Sequence, residues 1–198
     1  MNRTNLEIRT YCREVRAAPA AENGELRFEG YAAVFNSFSE DLGGFREMIL
    51  PGAFSNGIND DVRCLLNHDP NYVLGRNKAG TLKLEQDENG LKFEVTAPDT
   101  AWARDLYKSV QRGDIDQCSF GFSVMPDGET WRRTPTGDER ILSDLRLYDV
   151  SIVTYPAYPD TTAGVRSAAD AYRERPVSAG KAEILRKKLK LMEENRHE

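Results

Sequence analysis

Through most of this sequence the apolar residues recur at every second position, in short runs, and that period belongs to strands with one buried face. Leu26, Phe28, Gly30, Ala32 and Val34 alternate with Arg27, Glu29, Tyr31, Ala33 and Phe35. The same rhythm returns in GTLKLEQ (80–86) and LKFEVTA (91–97), which the turn residues DENG (87–90) join as a hairpin. It continues in QCSFGFSVM (117–125), in a Gly/Pro/Thr-rich hairpin near 126–140, and in a long run over 141–159. VRCLLNH (62–68) is short and apolar, a buried-strand candidate that DPN should end, and Pro51-Gly52 closes the apolar REMIL before it. One segment breaks the rhythm. TAWARDLYKSVQRG (100–113) places Trp102, Leu106 and Val110 on one helical face, with Asp99 or Thr100 as cap and Gly113 as stop. The chain therefore reads as mainly β (α+β), with one or two inserted helices. Short strands with hairpin turns favour a barrel or closed sheet over a βαβ fold.

Composition removes several function classes. With 27 Lys+Arg against 32 Asp+Glu the 198-residue chain carries a formal charge of −5, which argues against binding nucleic acid over its whole surface. No apolar run approaches the roughly 18 residues of a membrane span, and the opening MNRTNLEIRTYCREVR has charges where a signal peptide needs its apolar core. The three cysteines, Cys12, Cys64 and Cys118, form no C-x-x-C pair, so neither a disulfide framework nor a zinc knuckle is expected. After Pro159 the chain becomes small, polar and Pro/Gly-marked. Residues 181–195 then place Ile184, Leu185, Leu189 and Met192 on one side of a basic helix. The expected domains are 1–165, a strand-rich body, and 166–198, a linker with an amphipathic basic C-terminal helix.

Three residues are candidates for chemistry. The sequence has two histidines, His68 and the penultimate His197, so imidazole proton transfer near neutral pH falls to His68. On an extended strand His68 shares a face with Val62, Cys64 and Leu66, which equally suits a structural histidine at a strand end. In QCSFGFSVM, alternation turns Cys118, Phe120, Phe122 and Val124 to the core and leaves Ser119, Gly121 and Ser123 on a face free of bulk. Such a face admits an extended peptide to a serine nucleophile, or packs closely on another backbone. Asp149 stands among apolar and β-branched residues, where a carboxylate needs a partner. Arg146 or Arg140 would make it structural; a histidine Nδ1–H would make it the orienting acid of a triad. No metal site is expected, because His68 beside Asp69 offers too few ligands.

These segments resemble one family. FEGYAAVFN (28–36), ILPGAF (49–54), LLNHDPNYVLGR (65–76), the helix ending at Gly113, CSFGFSV (118–124) and YDVSIVTYPAYPDT (148–161) match, in order, the tailed-bacteriophage prohead maturation proteases. That group is related to the herpesvirus assemblin-type serine proteases. The resemblance covers roughly residues 25–165. It implies a herpesvirus-protease-like β-barrel that cleaves capsid and scaffolding-protein segments, and itself, inside the immature prohead in the bacterial host. It further implies His68 as general base, Ser119 as nucleophile and Asp149 as third member, with no cofactor or membrane. The herpesvirus relatives work as dimers, which implies a homodimer. Phage members often carry Glu where this chain has the shorter Asp149. Two rival readings remain: a cysteine hydrolase using Cys118 or Cys64, and a non-catalytic scaffold or capsid-assembly module acting through its C-terminal helix.

Overall fold

The structure is a computed structural model, and it describes residues 6–11, 15–18 and 24–155. In chain order its strands are β1 (Glu7–Tyr11), β2 (Arg16–Ala17), β3 (Leu26–Val34), β4 (Phe45–Ile49), β5 (Arg63–Leu66), β6 (Asp69–Arg76), β7 (Leu82–Gln86) and β8 (Gly90–Ala97). The helix α1 (Ala101–Arg112) precedes β9 (Gln117–Val124), β10 (Glu129–Thr134), β11 (Gly137–Leu142) and β12 (Leu145–Val153). Thr100 caps α1 by accepting from Ala103 N, and Gly113, at φ 79°, ends it. The helix buries Ala103, Leu106, Tyr107 and Val110, an i, i+3, i+4, i+7 face. The expected C-terminal helix over 181–195 lies outside the described residues, as does the whole 166–198 segment.

The strands form three sheets, ordered β1-β9-β12-β5-β6, β2-β3-β8-β7 and β10-β11-β4. This corrects the expected closed barrel: among the described residues the strands lie in three separate sheets, none of them closed on itself. At one edge the reason is local. β6 carries Pro70, which has no N–H to donate, and two register shifts against β5 interrupt its pairing. The sheets are joined instead by packing, with Phe28, Leu91 and Phe93 in the same buried cluster as Phe120, Phe122 and Val150. Isolated bridges Phe35–Ile49 and Phe38–Met48 add backbone links. The run over 141–159 is also not one strand. Ser143 and Asp144 leave β11 and donate their N–H groups to Gly128 O before β12 begins.

Two local features set the geometry around β9. β1 runs antiparallel to it, with Thr10 opposite Ser119, and a buried ionic cluster ties β1 down. Arg9 reaches Glu7 (2.6 Å) and Glu47 of β4 (2.9 Å), while Arg140 of β11 reaches Glu7 (2.7 Å), Glu47 (2.9 Å) and Glu129 (2.6 Å). Burial pushes the Glu7 carboxyl up, but Arg140 and Arg9 more than reverse this and hold it below the usual carboxylate range. The second feature is a bulge in β12, where Leu147 faces Phe122 but Asp149, not Tyr148, faces Gly121. Leu145 and Leu147 point to the core. Regular alternation would send Asp149 after them; the extra residue turns it to the opposite face and returns Val150 and Ile152 to the core.

Candidate active site

The sheet face selected by that bulge carries Ser119 and Gly121 on β9 and Asp149 and Ser151 on β12, with Ser151 directly opposite Ser119. His68 arrives from β5 by a route that alternation does not describe. β5 ends at Leu66, which pairs with Asp69, so Asn67 and His68 are the two-residue turn between β5 and β6. Both have positive φ, 53° and 58°, the signature of a type I′ hairpin turn. Asn67 tolerates that conformation well. Its side chain also pins the turn, accepting from Thr154 N (2.9 Å) and Thr154 Oγ1 (3.2 Å) just beyond β12, while its N–H donates to Ile152 O. The turn therefore does not begin at DPN. It includes the histidine, and carries the imidazole off the Cys64 face onto that of Ser119.

The three candidates meet. His68 Nδ1 lies 2.6 Å from Asp149 Oδ1, and His68 Nε2 lies 2.8 Å from Ser119 Oγ. Asp is long enough to reach the imidazole here. A carboxylate can only accept, so the proton on that short contact sits on Nδ1, and in the neutral ring Nε2 then presents its lone pair to the hydroxyl. Ser119 Oγ also lies 2.8 Å from Arg9 O of β1, a second acceptor for its single proton. The arginines weighed as partners for Asp149 are engaged elsewhere: Arg140 in the ionic cluster, Arg146 with Asp60 at 3.3 Å.

The structure also corrects the picture of a bare face. β1 and β12 occupy both edges of β9, so no peptide can add to it over this stretch, and Ser119 is 0% exposed. The approach is a cleft of about 230 Å³ lined by Asn67, His68, Ser119, Val153, Thr154 and Tyr155. Tyr155 stands at its rim, 76% exposed. Cys64 and Cys118 are buried thiols on the core face, where Cys118 Sγ donates to Tyr31 O; burial, then Cys118 and Asp149, push the Cys64 thiol well above its ordinary range, away from the reactive thiolate. Among the described residues no three His, Cys, Asp or Glu side chains are grouped to hold a metal ion.

Sequence reasoning passes over Asn67 and Ser151. Ser151 Oγ donates to Asp149 Oδ1 at 2.8 Å and lies 3.2 Å from His68 Nδ1. A signal for it exists, since a residue two positions from Asp149 on a strand shares its face. The part played by Arg9 O has no sequence signal, because it depends on how β1 pairs.

Residues 13–175 match the family model of the caudovirus prohead serine protease. The chain belongs to that family. Relatives of this prohead protease family member include the prohead protease of Enterobacteria phage HK97, 37% identical over 136 residues. That match covers 66% of this chain and 55% of the relative, so the chain spans about half the length of the HK97 protein. The solved capsid assembly protease of bacteriophage T4, gp21, superposes with a TM-score of 0.49 at 14% identity, covering 75% of this chain and 96% of that one.

Proposed function

We propose that the chain is a serine endopeptidase that cleaves capsid and scaffolding-protein segments, and itself, inside the immature prohead in the bacterial host. Ser119 is the nucleophile, His68 the general base and Asp149 the acid that orients it. The observation that carries this reading is the continuous contact from Asp149 Oδ1 through both nitrogens of His68 to Ser119 Oγ, at 2.6 and 2.8 Å. Family membership supports it independently.

In this mechanism the Oγ–H proton passes to His68 Nε2 as Oγ forms a bond to the scissile carbonyl carbon. Asp149 stabilises the resulting imidazolium through Nδ1–H. The imidazolium returns the proton to the leaving nitrogen as the C–N bond breaks, and a water activated by the same base then releases the acyl group. Arg9 O competes with Nε2 for the hydroxyl proton, so the hydroxyl is fully available only when it turns toward His68. A homodimer belongs to the same reading and is checked by sedimentation.

The test is co-expression with the capsid or scaffolding protein. The chain should trim its partner at sites that mass spectrometry locates, and Ser119→Ala should fold normally and lose ~10⁴–10⁶ of that activity. Normal processing by Ser119→Ala would remove the proposal.

A further inference from the structure

The carboxylate of Asp149 is held by more than the histidine. Oδ1 accepts from His68 Nδ1 and from Ser151 Oγ (2.8 Å), and Oδ2 lies over Gly121, 2.5 Å from where a Cβ would stand. Ser151 is 0% exposed, so its hydroxyl lies out of reach of bulk solvent. Its oxygen also stands 3.2 Å from His68 Nδ1. Proton counting fixes the arrangement. Were Ser151 to donate to Nδ1, the ring would carry its proton on Nε2, and Asp149 Oδ1 and Nδ1 would face each other as two acceptors 2.6 Å apart. With Asp149 ionised, the pattern that gives each of these groups a complementary partner puts the Ser151 proton on Asp149 Oδ1 and the ring proton on Nδ1. In the neutral ring Nε2 is then left as an acceptor toward Ser119.

We propose that Ser151 is a positioning residue for the hydrolytic reaction: it holds Asp149 in the rotamer that keeps the His68 proton on Nδ1, and Gly121 provides the space for that rotamer. The inference rests on the proposed Ser119–His68–Asp149 mechanism. Asp149 has one side-chain torsion fewer than Glu, and the fork of Ser151 and Gly121 fits its two oxygens, so a short acid serves here.

The experiment measures the rate at which a fluorophosphonate labels Ser119 in the full chain, per folded molecule, in a double-mutant cycle. Ser151→Ala should slow labelling on the order of 10–100-fold, the range for losing one hydrogen bond to a charged group. Ser151→Thr, which keeps the hydroxyl, should restore most of the rate. In an Asp149→Asn background the same Ser151→Ala change should alter the rate by less than about twofold, because the carboxylate through which it is proposed to act has gone. Proton NMR supplies a spectroscopic signature: the downfield Nδ1–H resonance of His68 should exchange faster with water in Ser151→Ala. If Ser151→Ala does not fold, the near-isosteric Ser151→Cys, a weaker donor, is read by the same criteria. Labelling of Ser151→Ala at the wild-type rate, or equal slowing in both backgrounds, overturns the positioning role while leaving the mechanism standing. Failure of the wild-type chain to label at Ser119 removes the mechanism, and this inference with it.

Discussion

Substituting Gly121 by Ala asks whether the seat of Asp149 matters. The added Cβ would stand 2.5 Å from Asp149 Oδ2, 3.3 Å from its Cγ and 3.4 Å from Leu6 Cδ1. Ordinary van der Waals contact with the nearer oxygen requires a retreat of ~1 Å. The carboxylate cannot retreat freely, since Oδ1 is tied to His68 at 2.6 Å and to Ser151 at 2.8 Å. Rotating the group to clear Oδ2 carries Oδ1 with it, and the contact to Nδ1 lengthens past the ~3.2 Å limit of a useful hydrogen bond. Complete loss of the orienting acid costs ~10⁴ in a triad, and a misplacement of ~1 Å costs ~10². Gly121→Ala should therefore label at Ser119 ~10²–10³ more slowly than wild type. Crowding should cost about 1–3 kcal/mol of stability, against a gain of ~0.4–1 kcal/mol from a less flexible unfolded chain. Thermal denaturation should accordingly show a Tm lower by a few degrees. A folded variant that labels at the wild-type rate would refute the reasoning, because it would mean that Asp149 can move without consequence.

The buried ionic cluster and the histidine turn are open to similar tests. Arg140→Met leaves Glu7, Glu47 and Glu129 short of a buried partner and should lower stability by ~3–5 kcal/mol in urea denaturation; a loss below about 1 kcal/mol would contradict a tightly coupled cluster. Because the folded-state pKa of Glu7 lies below its ordinary 4.5, its contribution is present above that value and lost as pH falls through the lowered one; Glu7→Gln should flatten the acid limb of the stability profile, and an unchanged limb would count against it. Asn67→Ala puts a Cβ-bearing residue without a turn-forming side chain at φ 53° and removes the acceptor for Thr154, so it should cost ~1–2 kcal/mol and slow Ser119 labelling; a variant as stable as wild type would mean that the turn is held elsewhere.

Much of this fold is legible in the sequence because burial writes itself as periodicity. The hairpin over 80–97 and the helix over 100–113 come directly from spacing and caps, and Asp149 marks itself as a carboxylate needing a partner. Alternation misleads where the chain departs from it. It places His68 on a strand face with Cys64, yet the residue sits in a type I′ turn whose two positive φ values send its ring elsewhere. The bulge at Tyr148 is also written in the sequence, as a slip of phase from Leu145 and Leu147 to Val150 and Ile152, but a period-two reading smooths over a single extra residue. The DPN that opens β6 reads as a turn because of its Pro70, which an edge strand tolerates. The open sheets and the covering of Ser119 by β1 depend on which strands pair at long range. No local signal carries that, and so a serine face that reads as bare is a buried one.

The central claim is that the Ser119 hydroxyl is activated by His68, and it is tested most directly by locating a fluorophosphonate adduct by peptide mass spectrometry. In the wild-type chain the phosphonyl group should be found on Ser119, and His68→Ala should slow its attachment by ~10⁴ or more. An adduct on a different residue, or an undiminished rate in His68→Ala, would contradict the account.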